Sequence, residues 1–309
     1  MSNHASIRFN FPISVLRFHI SIAPSGHRAF VQVCLLALLV GTLCDPAMAA
    51  IKDLLRYQSG VRNSVELALN AKQIEILLKS LREKTGFLEM HFDETGFLKL
   101  GDRTKPAGGS ATARELLIAA VDRTHAIDLE NHDRSSRIAF AQLAKSLVYM
   151  SRATGAQIEV YPIEIDFSDF AHLRGDKAVL VAFDIGFVVL HEFAHAALGL
   201  RDSPGETGDP GECEEYINRI RRELDLPERQ NYVARTYRKK IFPGEKLLPQ
   251  AELLFARTFE QQGRAKTQTF NLTWDSEPVG AVRSADFKPS SAAANNRKST
   301  SSATAASAP

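Results

Sequence analysis

The chain has 309 residues, 44% apolar and 24% charged, enough for a folded core in one large or two small domains. Lys and Arg total 38 against 36 Asp and Glu, a net charge of +2. That is too near neutral for the basic field a nucleic-acid partner calls for, so none is expected.

No Asp or Glu occurs before Asp45. Arg8, Arg17 and Arg28 precede the apolar run AFVQVCLLALLVGTLC at 29 to 44, and Ala47-Met48-Ala49 follows it. This order reads as a signal peptide over residues 1 to 49, with an unusually long basic lead. The run is short of the roughly 20 residues that span a bilayer. Export to the periplasm or medium is expected, without stable membrane association once the leader is cleaved; an uncleaved leader would remain as an anchor. Of the three cysteines only Cys213 lies beyond the leader, so no disulfide can form inside the mature chain, and Cys213 reads as a small filler residue.

Apolar residues at Val65, Leu67, Leu69, Ile74, Ile76, Leu77 and Leu81 predict a helix over 62 to 84. GFLEMHFDETGFLKLGD alternates about a DETG turn and predicts a hairpin. Thr112 and Glu115 form a capping box ahead of a helix carrying Leu116, Leu117, Ala120 and Val121. A second helix is expected over Ile138 to Met150. QIEVYPIEIDF reads as a strand, with Pro162 marking an edge or bulge, and AVLVAF at 178 to 183 as a short buried strand. Asp184 can cap a further helix. A Gly, Pro and Asp-rich loop covers 201 to 211, and a helix follows from about Glu212 to Leu224. The expected organisation is a folded domain over 50 to 245, an extension of uncertain structure over 246 to 288, and a disordered low-complexity tail over 289 to 309.

The chemistry concentrates in VVLHEFAHAAL at 188 to 198. His191 and His195 stand four apart, so on a helix they project from one face. Glu192 lies about 100° round at 3.6 residues per turn. Two imidazoles at that spacing can share one metal ion, and the glutamate can act on a metal-bound water without ligating it. The flanking residues are uncharged, as befits a buried helix with one polar face. A third ligand is needed. No histidine follows His195, and the metzincin spacing H-E-x-x-H-x-x-G-x-x-H fails because Leu198 and Arg201 stand at its later positions. His91, His125, His132 and His172 read as loop or surface residues. The acidic candidates are Glu206, Asp209, Glu212, Glu214 and Glu215, the last three at the start of the next helix.

HEFAH followed by an acidic helix resembles the zincin metallopeptidases of gluzincin type, whose third ligand is a Glu on a following helix. Nineteen residues separate His195 from Glu215, the thermolysin-like gap, so the resemblance implies Glu215, with Glu212 next. NRIRRELDLPERQNY at 218 to 232 is similar to the N-x-x-R-x-E-x-G-L-P-x-R-x-x-Y segment of a bacterial effector-type zinc metallopeptidase family. Asn218, Arg221, Glu223, Leu226, Pro227, Arg229 and Tyr232 carry the match. Asp225 stands where Gly is usual and Ile217 where a Glu often precedes the Asn. Pathogen members of that family clip host signalling kinases; a leader for general export does not carry that role over.

The resemblance implies an α+β zincin-like fold, a small mixed sheet packed on the HExxH helix with a second helix bearing the third ligand. One Zn2+ would sit on His191, His195 and Glu215. Glu192 would be general base and then proton donor to the leaving amine of a peptide or protein substrate. Tyr232 or Arg229 would stabilise an oxyanion, Asn218 would orient a ligand, and QIEVYPIEIDF would offer an edge strand to the substrate. Two alternatives stand beside this: a zinc-binding module without turnover, and a structural protein in which the motif is coincidence.

Overall fold

A computed structural model of the chain describes residues 58–150, 155, 157–203, 210–239 and 248–280. The expected leader, Glu206, Asp209 and the 289 to 309 tail lie outside the described residues.

In chain order, β1 (Gly60–Asn63) leads to α1 (Ala71–Thr85), the small hairpin β2 (His91–Phe92) and β3 (Leu98–Lys99), and α2 (Ala111–Val121). The strands β4 (Ala126–Asn131), β5 (Ala141–Leu143), β6 (Leu147–Met150) and β7 (Gln157–Ile165) follow. Helix α3 (Lys177–Ala182) precedes α4 (Ile185–Phe193), which runs on into a π-helical turn, Ala194–Leu198; α5 (Gly211–Glu223) comes next. The last part is β8 (Glu228–Arg229), β9 (Arg235–Lys239) and the long hairpin β10 (Leu248–Gln261) and β11 (Arg264–Asp275).

β1, β4 and β7 run parallel, and β5 and β6 lie end to end along the outer side of β7, both antiparallel to it. Ile163 and Ile165 are fully buried beneath the sheet, against the helices. Pro162 has no N–H for a ladder, and the partner strand is interrupted beside it, between β5 and β6. The Ala144 amide still reaches the Pro162 carbonyl at 2.8 Å. β7 is therefore an interior strand, not the expected edge; the edge is β5 and β6.

Beside a small cluster of Ala126, Ile158 and Val160, two large clusters make the core. One joins α1, α2, α4 and α5 to the sheet; the other joins Phe140, α3 and Val188 to the β10–β11 hairpin. Helix α4 belongs to both, which explains its apolar sequence. The stretch Lys177–Leu198 is long and apolar enough to cross a membrane, yet most of it is buried inside the protein.

Five expectations are corrected. Residues 62 to 69 are not helical: α1 begins where Asn70 accepts from the amides of Lys72 and Gln73, and Gln73 returns a bond to the Asn70 amide. The segment 138 to 150 forms no helix but two strands, β5 and β6, because pairing with β7 outweighs a helical apolar spacing. AVLVAF is helical, an ambiguity that short apolar runs always carry. Position 245 is no domain boundary: the chain from Tyr57 onward is one unit, and the hairpin shares its core with α4. Ser110, not Thr112, caps α2, its hydroxyl accepting from the Ala113 amide at 3.0 Å.

Candidate metal centre

Helix α4 is held at its N-terminus by buried polar groups. Asp184 caps it by accepting from the Phe187 amide at 3.1 Å. The other Asp184 oxygen takes Lys84 Nζ at 2.6 Å and the Ser80 hydroxyl at 2.8 Å. Gly186 makes this approach possible, since a Cβ there would stand 2.2 Å from Ser80 Oγ. A helix pinned to α1 in this way presents its next two turns with little freedom.

Those turns carry His191, Glu192 and His195. From Ala194 the helix widens into the π turn, which contains His195, and ends at Gly199, whose φ of 68° is left-handed. The reversal brings Asp202 back over the helix. Asp202 Oδ1 lies 3.0 Å from His191 Nε2 and 3.1 Å from His195 Nε2, and the two imidazole nitrogens are 3.2 Å apart. Gly199 and Asp202 each stand one residue beyond the glycine and third-ligand positions of the metzincin spacing, and a π turn is the device by which a helix absorbs one extra residue.

The three donor atoms suit a single ion. Tetrahedral bonds of 2.0 to 2.1 Å set ligand atoms about 3.3 Å apart, within a few tenths of an ångström of the distances found. Two imidazole nitrogens and a carboxylate oxygen meeting this closely need a cation among them, a metal or protons. His195 Nδ1–H donates to the Leu200 carbonyl at 2.6 Å, which fixes the tautomer and turns the Nε2 lone pair to the centre. His191 Nδ1 faces Glu214 Oε2 at 3.3 Å.

Metal-free, the site stores protons. Burial pulls both imidazoles down, but Asp202 and Cys213 outweigh it: His191 is raised well above its usual value, and His195 to about 10. Burial likewise works against the ionised Asp202, and its bonds to His191, His195 and Tyr232 overcome that and lower it.

Glu192 points the other way, toward the sheet edge. The Leu143 amide, turned away from β7, donates to Glu192 Oε2 at 2.8 Å. The carboxyl is buried, and burial raises its pKa against the pull of both imidazoles. A carboxylate raised toward neutrality is suited to taking and returning a proton.

Glu215 is not brought to the histidines. It lies on the solvent side of α5, paired with Arg222 at 2.8 Å, its side chain 56% exposed. Glu212 accepts from the Arg201 amide at the rim. The inward face of α5 carries Cys213, Glu214, Ile217, Asn218 and Arg221, and a shift of one residue, 100°, separates Glu214 from Glu215. Glu214 holds the buried guanidinium of Arg221 and that of Arg229 at 3.0 Å, besides facing His191.

Tyr232 reaches the site: its ring stacks on His191, with centroids 6.2 Å apart, and its hydroxyl donates to Asp202 Oδ2 at 2.6 Å. Arg229 does not serve as a free donor, because it is held by Glu214 and the carbonyls of Asn231 and Tyr232. Asn218 ties the Arg229 backbone to Arg221 and touches neither histidine. Asp225, where the similar segment usually has Gly, has φ 56°, the left-handed region that favours Gly. His91, His125, His132 and His172 are not among the donors gathered here.

Asp202 is the residue the sequence reading missed. The signal was a helix-ending glycine followed three residues later by a carboxylate. No family model, curated protein or solved structure matches this chain.

Proposed function

We propose that this chain is an exported metallopeptidase using one zinc ion, with His191, His195 and Asp202 as the protein ligands in place of the expected Glu215. The observation that carries this is the meeting of His191 Nε2, His195 Nε2 and Asp202 Oδ1 within 3.2 Å, beside the buried Glu192. Zinc when bound lowers the pKa of a water and polarises a carbonyl.

The chain's own groups do the rest. Glu192 takes the proton of the attacking water and gives it to the leaving amine; its raised pKa suits both halves of that transfer. The Leu143 amide holds one Glu192 oxygen and leaves the other for the proton. Tyr232 steadies Asp202.

Among the described residues, β5, which carries Leu143, and β6 beyond it form the outer edge of the sheet, and Leu147, Val148 and Met150 on β6 are exposed apolar residues. An apolar outer strand near the general base suits an extended peptide laid along the sheet edge. The test is hydrolysis of mixed peptide libraries by the zinc-loaded full chain, with Glu192→Gln as control. Cleavage by the wild type, lowered about 100-fold or more in Glu192→Gln with zinc retained, supports the reading. A wild type that holds zinc and cleaves nothing overturns it in favour of a binding module.

A further inference from the structure

Cys213 is the one cysteine past the expected leader. It sits in the first turn of α5, fully buried, its amide held by the Arg201 carbonyl at 3.0 Å. As a filler it would need only volume. Its sulfur is placed more specifically. The thiol donates to the His191 carbonyl at 3.3 Å, and the donor atoms of His191, His195, Asp202 and Cys213 all lie within 4.8 Å of one another.

We propose that Cys213 is a fourth ligand, a thiolate that closes the metal shell in the resting protein. This rests on the metal site proposed above and adds its regulation. Two imidazoles, one carboxylate and one thiolate are a complete tetrahedral set for zinc, whereas a catalytic site keeps one position open to water. As the sulfur–metal bond forms, the S–H bond breaks and its proton leaves to solvent. The closed form has no place for the hydrolytic water. Turnover then requires the sulfur–metal bond to break and the sulfur to take a proton back from solvent, returning as a thiol to the His191 carbonyl on which it is seated here. Helix α5 is the element that would carry this motion, and the buried Glu214 ties the same helix to the back of His191.

The full chain is stripped with chelator and titrated with Co2+ alone. The expected wild-type spectrum has the visible bands of tetrahedral cobalt and a near-ultraviolet thiolate-to-cobalt charge-transfer band. Cys213→Ser and Cys213→Ala should lose the second and keep the first, bind Co2+ about 10-fold or more weakly, and show higher basal peptidase turnover than wild type. Visible bands without the charge-transfer band in the wild type would overturn Cys213 as a ligand and leave the metal site standing. No Co2+ uptake by the folded wild type would overturn both. The wild-type spectrum decides the point even where a variant fails to fold.

Discussion

The Tyr232 hydroxyl donates to one oxygen of Asp202, at 2.6 Å, while the other oxygen faces both histidines. A carboxylate on a short turn past a helix end has rotational freedom, and this bond removes it. Tyr232→Phe should therefore fold normally and weaken metal binding about 10-fold, read by competition against a chromophoric chelator. Unchanged affinity with reduced turnover would instead make Tyr232 an oxyanion donor alone.

Asp202 and Glu215 separate the structural reading of the third ligand from the sequence reading. Asp202→Ala should abolish stoichiometric zinc, measured by mass spectrometry on the purified chain. Glu215→Ala should leave it at the wild-type level, because that carboxylate pairs with Arg222 in solvent. An exposed pair of this kind contributes about 0 to 1 kcal/mol, so stability should barely change either. The opposite pattern would restore Glu215.

The parts of the site legible in the sequence were those fixed within one helix. His191, Glu192 and His195 follow from helical spacing alone, and Asp184 as a cap follows from residue type. The third carboxylate depended on a path: a π turn, a left-handed glycine and a reversal. A gap counted along the chain cannot report such a path, and a gap borrowed from another family pointed to the solvent side of α5. The strands β5 and β6 were illegible for a related reason. Their apolar spacing fits a helix, and only the open side of β7 makes them strand.

The stored protons give the metal-free protein a characteristic pH response. His195 is raised to about 10 and His191 is raised as well, so the folded state holds protons more tightly than the unfolded chain, where histidine titrates near 6.5. The stabilisation is complete below about pH 6.5 and is lost as pH rises toward 10. The melting temperature of the chelated protein should fall across that window. Zinc binding must expel the same protons, so its apparent affinity should rise with pH over the same range. Calorimetric scans with and without zinc check both, and a chelated protein with a flat profile would contradict the protonated pair.

Glu214 and Arg221 form the buried pair that carries α5. Both are enclosed, Arg221 also donates to the Ala182 carbonyl, and its guanidinium lies over the Phe187 ring at 4.9 Å. Burial disfavours the charge on Glu214, but Arg221 and Arg229 overcome this and hold its pKa well below the usual range. Removing one partner leaves an uncompensated buried charge. Glu214→Gln should therefore cost about 3 to 5 kcal/mol of stability, read by denaturant unfolding, at any pH where the native carboxyl is ionised. The double change Glu214→Leu with Arg221→Met removes the Glu214–Arg221 pair together, though Arg229 keeps its charge, and should recover part of that loss. It should not recover zinc affinity, because His191 Nδ1 would still lack the carboxylate that faces it. Recovery of stability without recovery of affinity would separate the helix-holding role of Glu214 from its role behind the histidine. Full recovery of both would assign Glu214 to packing alone.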